Sequence, residues 1–166
     1  MLKWIDNVEQ LSFFDLMRIY SETNLKDCAM LYPELSTTEA LFCVESSFYH
    51  FVNDVFFKTN GAKYAVWTQD ESWVSALRIE PYFDGMLLSG LETHPDHRKR
   101  GYAKRLIGCV ISQLKSGTKV YTHIQRNNIA SVAAHTACGF SKISDRGHML
   151  DGSVDLNMDT YLTCCP

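Results

Sequence analysis

The sequence is poor in the residues and runs that mark unusual protein classes. Its 166 residues include four prolines and nine glycines, too few for a collagen-like or low-complexity chain. No apolar run approaches the length of a membrane span, and the first residues turn polar too early for a secretory signal. We therefore predict one globular domain over residues 1–166, located in the cytoplasm and without a membrane partner.

The sequence also lacks the charge and the metal-ligand spacing of several functional classes. Its formal net charge is −3, which argues against general binding of nucleic acid. The six cysteines form no two C-x2-C pairs and stand at no zinc-type spacing from histidine, so we expect no metal. A phosphate loop of the GxxxxGK[ST] type, an HExxH helix and a nucleophile elbow are absent as well.

One short segment, Arg98 to Arg105, reverses the overall acidic balance. Five of its eight residues are basic, and it lies between the apolar run 86–91 and an amphipathic helical pattern. A strand that leads through a glycine turn into a helix exposes unpaired backbone N–H groups, which bind phosphate well. Basic side chains oppose the helix dipole at this end, so their presence indicates a bound polyanion.

Hydrophobic periodicity and turn residues predict seven strands and four helices along the chain. The predicted strands cover 2–5, 63–69, 73–81, 85–93, 119–124, 140–150 and 154–162. The predicted helices cover 12–23, 101–114, a segment from the capping box at Ser36 through Val55, and a segment from Asn127 or Asn128 to just before Gly139. This order implies a mixed α/β sheet with helices on its faces, in which 85–124 forms a right-handed parallel crossover.

Two motifs connect this pattern to a protein family. The first is Arg98-Lys99-Arg100-Gly101-Tyr102-Ala103, and the second runs from Asn128 through Ser131 to Gly139-Phe140. Together they resemble the acyl-CoA loop, Arg/Gln-x-x-Gly-x-Gly/Ala, and the Asn-x-x-Ala/Ser helix ending in Gly-Phe of the GNAT superfamily of N-acetyltransferases. The resemblance implies an α+β fold: a mixed, mostly antiparallel sheet of six to seven strands, flanked by about four helices, with the fourth and fifth strands splayed apart.

The same resemblance implies where acetyl-CoA, the acyl donor, binds. Its pantetheine arm would enter the splay between the two strands, where we expect a β-bulge at Gly90. Backbone groups of Leu91 and Thr93 would bond the pantetheine, the Asn128 side chain would contact it, and the N–H groups of about residues 99–104 would hold the pyrophosphate. The predicted binding residues are Leu91, Glu92, Thr93, Arg98, Lys99, Arg100, Gly101, Tyr102, Ala103, Lys104, Asn128, Ser131 and His135.

The resemblance leaves both proton-transfer roles open. Relatives that use a general acid commonly carry tyrosine at the position of His135, and a histidine there would protonate the departing thiolate or only pack on the cofactor. Some relatives that modify protein lysines carry a glutamate base where this chain has Leu87. Glu92 is the nearest strand carboxylate and our candidate base, followed by Glu80 and His123. A water relay, or an amine that arrives neutral, would remove the need for any of them.

We therefore predict an N-acetyltransferase that carries an acetyl group from acetyl-CoA to the primary amine of a small-molecule acceptor by direct attack. Two alternatives stay open: a non-catalytic module that binds or senses acyl-CoA, and an acetyltransferase for a protein or peptide amine. The acceptor is set by the helical region 11–57, which carries no recognisable motif. By analogy alone, the C-terminal strands are the candidate surface for a homodimer.

Overall fold

The computed structural model describes residues 1–166, which form a seven-stranded sheet covered by helices on both faces. The helices are α1 (Phe13–Ile19), α2 (Ser21–Leu31), α3 (Thr37–His50), α4 (Tyr102–Gln113) and α5 (Ile129–Thr136). The strands are β1 (Leu2–Ile5), β2 (Lys63–Gln69), β3 (Ser72–Tyr82), β4 (Gly85–Thr93), β5 (Lys119–Gln125), β6 (Ser141–Ser144), β7 (Gly147–His148), β8 (Val154–Asp155) and β9 (Met158–Cys164).

The sheet is antiparallel except at one pair of strands. Its order is β1-β2-β3-β4-β5-β9-β6, in which only β4 and β5 run parallel, while β7 and β8 form a separate hairpin. The parallel pair is joined through α4, as the predicted crossover requires. None of the helices has the length and apolar character that crossing a membrane would need.

Two separate cores hold the helices against the two faces of the sheet. On one face, alternate residues such as Tyr64 of β2 and Ala76 of β3 pack against α1 and the turns that follow α3. On the other face, Leu77 and Leu88 pack against the apolar stripe of α4, which includes Leu106. Side chains alternate between the two faces along each strand, and the apolar residues of α4 recur every 3.6 residues on the side that faces the sheet. Alternation along a strand therefore tells which helices a residue faces, except where a bulge shifts the register.

Strand β4 carries two irregularities that open the sheet. Between its pairs with Ala76 and Arg78 of β3, β4 holds one residue more than β3 does. Gly90 lies in that interval with φ +59°, a left-handed conformation that glycine adopts readily. Parallel pairing with β5 ends at Leu88, so the two strands separate beyond this residue. The predicted bulge and the predicted splay are both confirmed.

The predicted helix over 12–23 is wrong in its extent, because the chain breaks into α1 and α2 at Tyr20. This residue has ψ 6°, outside the helical region, and its hydroxyl donates to the carbonyl of Gly90 at 2.5 Å. Sequence periodicity does not indicate α2, because only Asn24 and Cys28 of its 11 residues are buried. The region covering the sheet on this side therefore contains one more helix than predicted.

The two predicted C-terminal strands are interrupted rather than continuous. β6 ends at Ser144, where the chain leaves the sheet before the short β7–β8 hairpin. The backbone carbonyls of Asp145 and Arg146 at this point accept hydrogen bonds from the side chains of Arg126 and Thr160. Side-chain donors thus compete with the sheet for this stretch of backbone, which strand periodicity cannot reveal. A homodimer through these strands stays a prediction.

Candidate active site

The basic segment forms a turn whose backbone N–H groups have no acceptor in the rest of the backbone. α4 begins at Tyr102, and the N–H of Arg105 donates to the carbonyl of Gly101 at 3.0 Å. The N–H groups of residues 99–104 make no such bond, and no side chain caps the helix. Lys99 and Gly101 have φ of +61° and +79°, which orients successive N–H groups into an anion-binding concavity. We call residues 99–104 the anion turn.

The basic side chains around the anion turn have two different tasks. Arg98 donates from Nε to the carbonyl of Thr93 at 3.1 Å and forms an ion pair with Glu22 of α2. This hydrogen bond lowers the pKa of Glu22 and fixes the turn between β4 and α2. The exposed basic side chains that form no ion pair are Lys99, Arg100, Lys104 and Arg105. Their unneutralised charge attracts an anion to the turn.

A cleft of about 700 Å³ runs from the anion turn to the end of β4. Most of the predicted acetyl-CoA residues line it: Leu91, Glu92, Thr93, Arg98, Lys99, Gly101, Tyr102, Ala103, Lys104, Asn128 and Ser131. Arg100 and His135 do not line it. The side chain of Arg100, within the turn, is exposed, whereas His135 is on α5 and buried. The two sequence motifs, some 30 residues apart, therefore meet at one cleft.

Asn128 has a structural task that leaves part of its side chain available. Its Oδ1 accepts the N–H of Ser131 at 3.1 Å and so caps α5. The Nδ2 group of the same side chain makes no hydrogen bond within the protein. Because Asn128 lines the cleft, this amide is a donor that a ligand carbonyl can reach.

Glu92 faces α2, on the side of the sheet that α1–α3 cover. The Gly90 bulge places it opposite Ala76, whose side chain belongs to that core, and the Thr23 hydroxyl donates to its carboxylate. Burial raises the pKa of Glu92, while the bond from Thr23 and the charge of Arg98 lower it. A carboxylate in this setting can accept a proton, so Glu92 stays a candidate base.

His135 is buried behind the cleft, with only 2% of its surface exposed, and packs edge-on against Phe140. Its Nδ1 lies 2.9 Å from the carbonyl oxygen of Ser131, which can only accept, so Nδ1 carries the ring proton. Burial lowers the pKa of His135, although the bond to Ser131 raises it in part, and the ring is neutral at pH 7. A neutral ring in this tautomer holds no proton on Nε2, which favours the packing role over that of general acid.

His123 occupies β5 immediately beyond the last residue that pairs with β4. Its neighbours Thr122 and Ile124 are buried, while His123 itself lies edge-on to Tyr82 at 5.5 Å between ring centroids. Its Nδ1 lies 2.9 Å from the hydroxyl oxygen of Thr160, and that hydroxyl already donates to the carbonyl of Arg146. Thr160 must therefore accept from His123, which leaves the Nε2 lone pair free.

The environment of His123 keeps its ring neutral. Burial lowers the pKa of His123, whereas the nearby carbonyl of His148 raises it to a smaller extent. Nε2 is buried and has no hydrogen-bond partner in the protein. His123 does not line the cleft. Sequence reasoning ranked it behind two glutamates, because the splay next to it and its partner Thr160 are visible only in three dimensions.

Sequence reasoning missed several residues of the cleft. α2 contributes Glu22, Thr23 and Lys26, which no motif marks. His97 also lines the cleft, and its buried Nδ1 has no hydrogen-bond partner. The position of His97 next to the basic segment could have indicated that it lines the cleft, whereas no sequence feature of α2 indicates this.

Comparison with known proteins identifies the family. The acetyltransferase (GNAT) family matches residues 20–140, which is more than half of the chain. No curated protein matches the sequence individually. The family match covers both motifs and both strands that separate at the cleft.

Solved structures of acetyltransferases share the fold. The acetyltransferase from Thermus thermophilus is 18% identical with a TM-score of 0.66, over 99% of this chain and 97% of that one. The ribosomal-protein-S18-alanine N-acetyltransferase from Escherichia coli is 16% identical with a TM-score of 0.63, over 99% and 94%. The spermidine N-acetyltransferase from Vibrio cholerae, in complex with CoA and spermine, is 15% identical with a TM-score of 0.61, over 99% and 95%. The anion turn, the splayed sheet and the family match agree: this chain belongs to the GNAT family of acetyltransferases and is an acyltransferase.

Proposed function

We propose that this acyltransferase uses acetyl-CoA and transfers its acetyl group to the primary amine of a small-molecule acceptor. The anion turn carries the proposal, because six backbone N–H groups without backbone acceptors lie among unpaired basic side chains. A pyrophosphate suits this combination of convergent donors and positive charge. The solved relatives act on a ribosomal protein and on spermidine, so the fold by itself leaves the acceptor open.

The cleft supports a single path for the donor from the anion turn to the splay. The pyrophosphate would lie on residues 99–104, and the pantetheine arm would follow β4 along Leu91 and Thr93. Asn128 has a free Nδ2 group on the opposite wall, which suits a pantetheine carbonyl. The thioester would then lie near the Gly90 bulge, where β4 and β5 separate.

The proposed reaction is direct attack by the acceptor amine on the acetyl carbonyl carbon. The C–N bond forms first and gives a tetrahedral intermediate while a base takes the amine proton; the C–S bond then breaks as the intermediate collapses, and the departing thiolate takes a proton from water. A backbone N–H near Leu91 would hold the oxyanion of the tetrahedral intermediate. His123 is the base that we favour, because its buried Nε2 has no hydrogen-bond partner and its strand leaves β4 immediately before it. Glu92 is the alternative.

Calorimetric titration tests the donor site, and release of free thiol tests the transfer. We expect the protein to bind acetyl-CoA and to release CoA only when an acceptor from an amine panel is present. Tight binding without any thiol release would contradict transfer and would leave an acyl-CoA-binding module. Acetylation of peptides, with no small amine acting as acceptor, would contradict the small-molecule assignment.

Substitution of His135 separates packing from acid catalysis. We expect His135→Ala to lower the free energy of unfolding by about 2 kcal/mol, because it leaves a cavity behind α5. For a chain of this length, that lowers Tm by roughly 4–8 °C in a calorimetric scan. His135→Asn keeps a donor for the Ser131 carbonyl, so we expect its kcat to stay within about threefold of the parent. A loss of about 100-fold in kcat for His135→Asn at unchanged Tm would instead assign His135 as the acid.

A further inference from the structure

Three buried polar atoms without hydrogen-bond partners lie side by side on the sheet. They are Arg78 Nε, Ser89 Oγ and Tyr64 Oη, the last of which has only the hydroxyl of Tyr20 beside it. Arg78 of β3 pairs directly with Tyr64 of β2 and with Ser89 of β4, so the three side chains form one row across the sheet. Buried polar groups nearly always have a partner, and three unpaired ones in contact positions indicate a ligand site.

The row lies on the face that α1–α3 cover, at the Gly90 bulge. Tyr64 belongs to the core on that face, and cross-strand neighbours point to the same side. A Cβ at Gly90 would come within 2.9 Å of Arg78 Nε, so the guanidinium lies directly against the bulge. The row thus borders the place where the thioester would lie, on the acceptor side of the sheet.

Arg78 supplies a positive charge that the protein does not neutralise. No carboxylate lies within 4 Å of its guanidinium, and the ring of Phe51 lies 5.0 Å below it. Phe51 is held there by a turn of π-helix that follows α3, a local distortion found frequently at functional sites. A guanidinium cannot lose its proton, so its charge persists in this partly buried position.

The two other groups of the row are hydrogen-bond donors as well. Burial raises the pKa of Tyr64 to about 12, so its hydroxyl keeps its proton at neutral pH. The Ser89 hydroxyl can donate from the neighbouring strand. A planar fork of N–H groups flanked by two hydroxyls is matched by a carboxylate, which accepts several hydrogen bonds at once.

We propose that the acceptor is an amine that also bears a carboxylate, and that Arg78, with Tyr64 and Ser89, binds this carboxylate. The inference rests on the proposed transfer reaction and specifies its substrate class. His123 lies on β5 and Arg78 on β3, on either side of β4, and β5 leaves β4 before His123, so their backbones are at least two strand spacings, roughly 10 Å, apart. Val120 and Ile124 of β5 belong to the core under α4, so His123 faces the same side of the sheet as Arg78, which suits a compact molecule such as an amino acid.

A polyamine is the competing acceptor, since Glu80 lies two residues from Arg78 on the same face. Burial raises the pKa of Glu80 and so favours its neutral form, although Arg78 counteracts this. The permanent positive charge of Arg78 would repel a polyamine, so this residue is unfavourable in a binding site for a polycation. The arrangement therefore favours a carboxylate over a second ammonium group.

Matched acceptor pairs test the proposal. Each common L-amino acid is assayed beside its carboxamide, which keeps the amine and removes the negative charge. We expect at least one amino acid to exceed its carboxamide by about 100-fold in kcat/KM. Arg78→Met keeps the stem over Phe51 and should abolish this preference, with no change in the Kd for acetyl-CoA. Arg78→Lys should restore part of it, because a point charge replaces the fork.

Three results overturn the proposal. The first is equal kcat/KM for both members of every pair, and the second is a preference that survives Arg78→Met. The third is selective use of spermidine that is lost in Glu80→Gln. If the parent binds acetyl-CoA but transfers to nothing, the transfer reaction itself fails. Calorimetric titration with each amino acid and its carboxamide then tests the role of Arg78 without the reaction. Equal affinity for both members of every pair would show that only solvent fills the row.

Discussion

Gly101→Glu is expected to weaken acetyl-CoA binding by about 100-fold or more, measured by calorimetric titration. Gly101 lies in the middle of the anion turn with φ +79°, where its N–H is one of the six without a backbone acceptor. Nothing in the protein lies within 4 Å of a Cβ built there, so the side chain has room. The loss therefore arises from a negative charge and a strained backbone at the phosphate position, not from a clash with the fold.

A matched control separates the two contributions. Gly117, in the turn between α4 and β5, has φ +81° and equally open space around a Cβ. Gly117→Glu therefore introduces the same charge and about the same backbone strain, roughly 1–2 kcal/mol, away from the cleft. We expect this variant to lose similar stability and to bind acetyl-CoA like the parent. If Gly101→Glu also bound like the parent, the pyrophosphate would not lie on the anion turn.

The features that sequence predicted well are those set by local chemistry. Basic residues at a helix start, a glycine inside an apolar strand and an asparagine before a helix each have a local physical reason. The structure accordingly has the anion turn at 99–104, the bulge at Gly90 and the cap by Asn128. Strands β2 and β4 also have the predicted limits, because turns with unambiguous residues bound them.

The features that sequence missed depend on partners far along the chain. α2 is polar and amphipathic only weakly, so its position over the cleft follows from Arg98–Glu22 and Thr23–Glu92 contacts. Arg78, Tyr64 and Ser89 likewise form a row only because of the register between their three strands, and alternation along a single strand does not reveal that register. His135 matched a family position, yet its burial against Phe140 depends on how α5 packs. Motifs thus indicated the residues of the cleft around the anion turn, whereas the row of Arg78 required the tertiary structure.

His123→Ala is expected to lower kcat by about 10²–10⁴-fold without changing the Kd for acetyl-CoA. The buried Nε2 of the imidazole has no hydrogen-bond partner, and Thr160 holds the ring in the required tautomer. Because Thr160 only orients the ring, Thr160→Val should cost less, on the order of tenfold. Steady-state thiol release with a saturating acceptor measures both effects, and calorimetric titration supplies the binding control.

The dependence of kcat on pH identifies the base. Burial lowers the pKa of His123, and Tyr82 and His148 are the titratable groups that surround the ring. The neutral ring is the active form, so kcat should be flat near pH 7. It should fall only as pH drops through a value below about 6.5.

His123→Ala should remove this acidic limb, whereas Glu92→Gln should keep it, because the glutamine amide still accepts from Thr23. The reverse pattern would assign the base to Glu92, whose pKa is raised by burial. An unchanged limb in both variants would show that the acceptor amine itself titrates there and arrives neutral. The pH profile therefore distinguishes all three routes for the amine proton, which a single rate measurement cannot do.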